Sequence, residues 1–240
     1  MRILKTLKSN PTMRQPSIFA AVTIAFAVAS APLLGADSGR TGRFDFDSPV
    51  PGTYALPVLK MAADGEVLDS AGRKLRLEQL THGRITVLSF IYTRCASAGA
   101  CPHATGVLNQ LHRLSEGDSA MAKEMRLVSM SFDPEHDTPE RMAAYSAWAG
   151  SRTNAAEWHF LTSRSKGVLQ PVLDAYGQVV TAKANPNAAG GPLNHTLRVY
   201  LIDRQGRIRN IYSSGTLDVR LVMADVKTLM LEGREPSTNR

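Results

Sequence analysis

Apolar runs and amphipathic segments alternate along the chain from about residue 54 to residue 231. The segment 85–92 is an unbroken run of aliphatic, β-branched and aromatic residues, which is typical of a strand buried on both faces of a sheet. Polar segments rich in Gly and Pro separate it from shorter apolar runs. The pattern predicts strands at residues 56–60, 67–68, 74–77, 85–92, 126–132, 158–161, 195–202 and 208–213.

Helices are predicted between these strands, where apolar residues recur every three to four positions. Pro102 suits the start of a helix that follows Cys101, because proline has no amide hydrogen to leave unpaired in the first turn. A second helix is predicted to start near Asp137, as a capping residue, and to run to about residue 149. Further helices are predicted at 166–176 and 217–231, and a long loop at 177–194.

The resulting order, β-α-β-α-β-α-β-β-α with two cysteines at a strand-to-helix junction, predicts an α/β protein with a thioredoxin-like fold. We expect a central mixed sheet flanked by helices, with an N-terminal β-hairpin. The last two strands are predicted to pair antiparallel around a turn at residues 203–206, where Gly206 supplies the permissive position.

The N-terminus has the pattern of an export segment. Residues 1–36 contain four basic residues and no acidic one, and an apolar run occupies residues 18–29. This pattern is typical of a cleaved signal peptide, but the apolar stretch also approaches the roughly 20 residues that a membrane anchor needs. In both interpretations the rest of the chain is exported to the periplasm, where it is either soluble or tethered to the inner membrane.

The remaining chain divides by composition into three parts. Residues 37–53 are polar and rich in Gly and Pro, and are predicted to be a linker. Residues 54–232 carry the alternating pattern and are predicted to form the folded domain, and residues 233–240 are predicted to be a disordered tail. No internal repeat is visible.

The formal net charge of +7 arises largely at the N-terminus. Without the four basic residues of the export segment, 24 basic residues face 21 acidic ones. Because this balance is close to neutral and no basic patch is interleaved with aromatic residues, no nucleic-acid partner is expected.

Only two cysteines occur, Cys95 and Cys101, and they are six positions apart. A disulfide between them would close a short loop, so a chemical role is favoured over a structural one in an exported protein. Cys95 follows the central strand and Cys101 starts a helix, whose free amides and positive potential favour a thiolate. Arg94 and His103 are neighbours that could strengthen this effect.

Five sequence blocks resemble those of the Sco/SenC family. They cover about residues 54–230 in the family's order, and are Phe90-Ile-Tyr-Thr-Arg-Cys95, Cys101-Pro102, Ser131-Phe-Asp-Pro-Glu-His-Asp-Thr-Pro139, Trp158-His-Phe-Leu-Thr162 and Asn194-His-Thr-Leu-Arg-Val-Tyr-Leu-Ile-Asp203. The resemblance implies a membrane-tethered or periplasmic thioredoxin-fold protein that assists assembly of the copper centre of cytochrome c oxidase. It also implies that Cys95, Cys101 and His195 bind one copper ion.

The chain departs from the family at the cysteines. The usual spacing is C-x-x-x-C-P, and the segment Cys95-Ala-Ser-Ala-Gly-Ala-Cys101-Pro is two residues longer. Its residues are small, and Gly99 permits a positive φ, so both sulfurs are still expected to converge. Two thiolates and an imidazole suit Cu(I) and also resemble Cu(II) sites. A structural zinc site would prefer a fourth ligand, for which His103 and Asp133 are the candidates.

Three functions follow from these residues. The first is a non-enzymatic copper chaperone, which serves the copper-centre subunit of cytochrome c oxidase or another exported cuproprotein and depends on a thiol reductant. The second is a periplasmic thiol-disulfide oxidoreductase, with Cys95 and Cys101 as its catalytic redox pair. The third is a binding module with an inert disulfide. Asp133 and Asp137 are predicted to build a turn and cap a helix, and four histidines are interpreted as structural: His82, His112, His136 and His159.

Overall fold

The longest apolar run forms the centre of an eight-stranded mixed sheet. β4 (Ile85–Ile91) pairs parallel with β5 (Met125–Ser131) on one side and antiparallel with β9 (Val199–Ile202) on the other. β5 in turn pairs parallel with β6 (Glu157–Thr162). All seven residues of β4 are buried, as the prediction of a strand covered on both faces requires.

Hairpins complete both edges of this sheet. β10 (Arg207–Tyr212) pairs antiparallel with β9 and β1 (Lys60–Met61), and the hairpin of β2 (Glu66–Asp69) and β3 (Lys74–Arg76) pairs with β6. The predicted N-terminal hairpin and the antiparallel last strands are therefore confirmed.

The first strand is shorter than predicted and starts later. Instead of covering residues 56–60, β1 consists of Lys60–Met61. Pro57 has no amide hydrogen to donate to a ladder, and the first bond to the neighbouring strand comes from the amide of Leu59 to the carbonyl of Ile208, at 2.8 Å.

Helices cover both faces of the sheet, each over its own apolar cluster. α2 (Ala100–Ser115), α3 (Ser119–Glu124) and α6 (Val219–Glu232) contribute to one cluster, and α1 (Glu78–Thr81), α4 (Pro139–Ser146) and α5 (Lys166–Tyr176) contribute to the other. This arrangement confirms the predicted mixed sheet between helical layers. The sequence pattern missed α1 and α3, which are too short to show a clear period.

The cap of α4 differs from the prediction. The Thr138 side chain accepts a hydrogen bond from the amide of Arg141 at 3.4 Å, and Pro139 occupies the first turn. Asp137 is therefore not the capping residue, because its carboxylate is engaged elsewhere. The position of Pro139 indicates Thr138 in retrospect, since proline favours the position directly after the cap.

The predicted long loop contains a second, two-stranded sheet. β7 (Val180–Ala182) pairs antiparallel with β8 (Leu193–His195), so the strand predicted at 195–202 is in fact two separate strands. Two hydrogen bonds link the segment between β8 and β9 to the end of α5: Gln178 Nε2 donates to the carbonyl of Thr196 at 2.8 Å, and Arg198 Nη1 donates to that of Gly177 at 2.7 Å.

The structure, a computed structural model, describes residues 46–95, 100–147, 152, 154–187 and 189–232. The predicted export segment and C-terminal tail lie outside these residues, as does Gly99. Among the helices of the described part, none is both long and apolar enough to cross a bilayer. The end of the predicted linker contacts α6, where the amide of Gly52 donates to Thr228 Oγ1 at 3.0 Å and Arg220 donates to the carbonyl of Phe46 at 3.2 Å.

Candidate metal centre

Three donor side chains from distant parts of the sequence meet at one end of the sheet. Cys95 follows β4, Cys101 lies in the first turn of α2 and His195 is the last residue of β8. The two sulfurs and one imidazole nitrogen all lie within 4.8 Å of one another, and Cys101 Sγ is 3.3 Å from His195 Nε2.

These distances suit a single metal ion. Metal–donor bonds of about 2.0–2.3 Å, as in zinc sites, allow two donors of one ion to be up to roughly 4.6 Å apart. The three donors therefore close around an ion with small movements. Cys95 is half-buried and Cys101 is buried, and the sulfurs are not bonded to each other.

The two thiols share their charge unequally. A hydrogen bond from Cys101 lowers the pKa of Cys95 well below its ordinary value, against the opposing effect of burial, and His195 lowers it further. The same bond to Cys95 raises the pKa of Cys101, and burial raises it again. The negative charge therefore rests on the more accessible sulfur, with the buried thiol as its donor, and the pair titrates as one unit.

Buried carboxylates hold the chain just before Cys95. Asp137 is completely buried and accepts hydrogen bonds from the amide and the hydroxyl of Thr93, the amide at 3.0 Å, and from Ser131 Oγ at 2.6 Å. Asp133, also buried, accepts from Arg94 Nη2 at 2.6 Å. Asp137 therefore anchors the cysteine segment rather than the helix cap that the sequence suggested.

Asp133 also has the turn-building role that was predicted for it. Its carbonyl accepts from the amides of His136, at 3.0 Å, and Asp137, at 2.8 Å. One residue thus closes the turn after β5 through its main chain and holds the segment before Cys95 through its side chain.

Aromatic rings position the imidazole of His195. The ring centroid of Phe132 lies 5.0 Å from that of His195, and the ring of Tyr92 meets it edge-on at 5.5 Å. Among the described residues, the buried Nδ1 of His195 has no hydrogen-bond partner. Ring packing therefore fixes the orientation in which Nε2 faces the sulfur. Sequence reasoning did not assign this role to either aromatic residue.

The hairpin that carries His195 rests directly on the cysteine segment. Tyr92 Oη donates to the carbonyl of Gly190, and Gly191 lies so close that a Cβ there would overlap Tyr92 Oη and the carbonyl oxygen of Arg94. Both glycines have positive φ, +85° at Gly190 and +82° at Gly191. Gly191 is therefore the residue that lets the two segments approach, because it has no Cβ.

The other candidate ligands do not join the group among the described residues. His103 Nε2 lies 3.1 Å from the carbonyl of Leu217, and the carboxylate of Asp133 is engaged with Arg94. The remaining histidines contact other groups, as expected for structural residues: His82 with Glu78, His112 with Trp158, His136 with Arg141 and His159 with Glu157. The structure thus brings together the three predicted ligands and no fourth in the part it describes.

Known proteins share both the sequence pattern and the fold. Over 143 residues the chain is 24% identical to the SCO1 protein homolog of Bacillus subtilis, covering 59% of this chain and 68% of that protein. It is also similar to the solved structure of a SCO1/SenC family lipoprotein of Bacillus anthracis, with a TM-score of 0.60 and 24% identity, covering 72% of this chain and 97% of that one. The copper-bound structure of Arabidopsis thaliana ScoI gives a TM-score of 0.59 at 18% identity, covering 72% and 99%.

These structural likenesses confirm the thioredoxin-like fold. The family model described as SCO1/SenC matches residues 60–231, which include both cysteines, His195 and nearly all of the folded part. The match extends over most of the chain, and the chain therefore belongs to the SCO1/SenC family.

Proposed function

We propose that this protein is an exported copper chaperone that holds one copper ion between Cys95, Cys101 and His195. The observation that carries the proposal is the convergence of two sulfurs and an imidazole nitrogen within 4.8 Å. Thiolate and imidazole donors suit Cu(I), and the same set resembles the strong ligands of Cu(II) sites. Copper-bound structures of the fold, such as that of Arabidopsis ScoI, support the same assignment.

One of the two sulfur ligands is already deprotonated before the ion binds. Cys95 carries the thiolate in the free protein, whereas Cys101 must release the proton that it shares with Cys95 before it can bind. Loading is therefore coupled to loss of about one proton. His195 needs no rearrangement other than a small approach, because its Nε2 already faces Cys101 Sγ.

The cargo is proposed to pass to the copper-centre subunit of cytochrome c oxidase or to another exported cuproprotein by ligand exchange. A disulfide between Cys95 and Cys101 would remove both sulfur ligands, so the chaperone depends on a thiol reductant in its compartment. The family's link to oxidase assembly supports the first of these recipients.

Copper titration of the reduced chain tests the proposal. We expect one Cu(I) per chain in the unaltered protein, loss of binding in Cys95→Ser, and binding weakened at least tenfold in His195→Ala. His136→Ala is the matched control, because this histidine contacts Arg141 and lies outside the ligand group. Copper stoichiometry that survives Cys95→Ser unchanged contradicts the proposal.

Thiol-disulfide exchange is the second candidate, and the unequal charge on the sulfurs favours it. The Cys95 thiolate would attack a partner disulfide, form a mixed disulfide and release one partner thiolate. Deprotonated Cys101 would then attack the Cys95 sulfur and release the second partner thiol. The partner gains two electrons, the Cys95–Cys101 disulfide forms, and an exported thiol reductant restores the dithiol.

His195 separates the two candidates. Disulfide exchange needs only the sulfurs, whereas the copper site needs the imidazole as well. We expect His195→Ala to keep most of any disulfide-reducing activity toward a small disulfide such as oxidised glutathione while its copper affinity falls. Loss of both activities together would favour a single copper-dependent function.

The N-terminal segment is proposed to export the domain of residues 54–232 to the periplasm, either as a cleaved signal or as an inner-membrane tether. The lipoprotein relative from Bacillus anthracis supports a location outside the cytoplasm. The mass of the mature protein distinguishes the alternatives, because cleavage near residue 29 removes the whole apolar run. Fractionation with the cytoplasm would contradict both.

A further inference from the structure

A second feature of the site is a cavity that opens onto both sulfurs. Its volume is about 300 Å³, roughly ten times the volume of a water molecule in the liquid. α2 forms one wall through Thr105, Gly106 and Asn109, and Tyr145 of α4 contributes to another. Cys95 and Cys101 both line it, so a molecule inside would contact the sulfurs directly.

His195 does not line this cavity. Its ring packs against Phe132 and Tyr92, and of these two aromatic residues only Tyr92 lines the cavity. An ion held by the three ligands would therefore remain accessible from the cavity. A further donor can reach it there without first displacing the hairpin that carries His195.

The lining indicates which donor fits. Among the described residues that line the cavity, none apart from the two cysteines carries a charge. The hydroxyls of Thr105 and Tyr145 lie 3.0 Å apart and bond to each other, so neither needs a partner from the cavity. A carboxylate would lose hydration there beside the negatively charged sulfur of Cys95, and an ammonium has no free electron pair with which to bind copper. An uncharged, soft thioether has neither disadvantage.

We propose that this cavity, bounded by α2 and α4, receives a methionine side chain of the copper-accepting protein. This inference rests on the proposed function and deepens it. The incoming thioether sulfur forms one bond to Cu(I) while one bond from the ion to a protein ligand breaks. Copper stays Cu(I), no electrons are exchanged, and a thioether brings no proton. The exchange is thus a ligand substitution at the ion, in which the displaced side chain stays part of this chain and a displaced thiolate takes up a proton from solvent.

Gly106 allows the cavity to be filled without touching a ligand. It lies within α2, lines the cavity, and a Cβ there would meet nothing within 4 Å. Gly106→Leu therefore places an isobutyl group in the cavity, and leucine also has a higher helix propensity than glycine. Gly167→Leu is the matched control, since Gly167 is an exposed position in α5 whose Cβ also meets nothing within 4 Å.

The first measurement needs no copper. In the reduced, metal-free chain, N-ethylmaleimide must reach the sulfurs, and we expect Gly106→Leu to slow its reaction at least tenfold while Gly167→Leu reacts at the unaltered rate. Equal rates in all three proteins would overturn the proposal, because the cavity would then not be the route to the sulfurs. This measurement tests the cavity whether or not the chain binds copper. Absence of copper binding would contradict only the proposed function.

The second measurement uses the Cu(I)-loaded chain and a short synthetic peptide with one methionine. We expect the peptide to shift the amide NMR signals of Thr105, Gly106 and Asn109, and to bind at least tenfold more weakly to Gly106→Leu. A peptide with norleucine in place of methionine has the same shape but no donor atom. Equal binding of the two peptides would overturn the assignment of a thioether.

Discussion

The two sides of the metal centre are built in different ways. Cys95 follows the most buried strand of the main sheet, and the carboxylates of Asp133 and Asp137 hold the two residues before it. His195 belongs instead to the separate sheet of β7 and β8, and its ring is oriented by aromatic contacts with no hydrogen bond at Nδ1 within the described residues.

The sulfur side is therefore expected to be the more rigid of the two. A buried carboxylate that accepts several hydrogen bonds is a stable part of the core. Its removal leaves unpaired polar groups, and each of these costs about 1–3 kcal/mol. On the other side, the Tyr92 hydroxyl donates to the hairpin that carries His195, and ring packing orients the imidazole; one such hydrogen bond contributes only about 0.5–1.5 kcal/mol. Substitutions on the sulfur side should therefore destabilise the whole fold, whereas substitutions on the imidazole side should displace a ligand while the fold remains stable.

Removal of the Asp137 carboxylate should have the largest effect on stability. Asp137→Ala leaves three donors from Thr93 and Ser131 without their acceptor inside the core. We expect the free energy of unfolding in urea to fall by about 3 kcal/mol or more. Asp137→Asn keeps the shape and one acceptor oxygen, so its loss should be smaller. A loss below about 1 kcal/mol in the alanine variant would show that the carboxylate is not an anchor.

Substitution of the two adjacent glycines should separate ligand positioning from backbone strain. Gly190→Ala and Gly191→Ala both force a positive φ on alanine, at a cost of about 1–2 kcal/mol. Only Gly191→Ala also overlaps the cysteine segment, whereas a Cβ at Gly190 meets nothing closer than Lys183 Nζ at 3.4 Å. We expect Gly191→Ala to weaken Cu(I) binding at least tenfold more than Gly190→Ala does. Equal affinities would mean that the close approach does not position His195.

Loss of the Tyr92 hydroxyl should loosen the hairpin without unfolding the sheet. Tyr92→Phe keeps the ring beside His195 but removes the donor to Gly190, which is worth about 1 kcal/mol. We expect hydrogen exchange to quicken about fivefold at the amides of β7 and β8 and to stay unchanged in β4. Tyr200→Phe is the control. The Tyr200 hydroxyl donates to the carbonyl of Tyr176 at 2.6 Å, so its loss should leave the exchange rates of the β7 and β8 amides unchanged.

Acid should destabilise the main sheet by protonating Asp203, and we expect this to be the smallest of the four predicted effects. Burial opposes its ionisation, but hydrogen bonds from the amide and guanidinium of Arg207 and from Arg209 outweigh it and lower the pKa of Asp203 below its usual value. A lowered pKa in the folded state gives stability that is present above the unfolded pKa and lost as the pH falls through the folded one.

We therefore expect the unfolding free energy to drop between about pH 5 and pH 3, and more steeply in the unaltered protein than in Asp203→Asn. Urea unfolding at pH 7, 5 and 3 measures the difference. Identical slopes in the two proteins would show that the Asp203 carboxylate does not contribute to acid sensitivity.

Local patterns predicted most elements of the fold. The sequence predicted β4, the start of α2 near Pro102 and the extent of α5, because each depends on apolar spacing or on the chemistry of a helix end. The split between β8 and β9 was not predicted, since β8 pairs with β7 in a separate sheet and such pairing between distant residues leaves no local pattern.

The chemistry of this protein could be inferred from its residues: two sulfurs at the junction of a buried strand and a helix, and a histidine in a block typical of its family. The distances between them, the anchoring of Cys95 by Asp137 and the cavity beside the sulfurs became visible only in the folded chain. The reason is physical. Residue types and short periods are local properties, whereas a 3.3 Å approach between positions 101 and 195 depends on how the hairpin packs against the sheet.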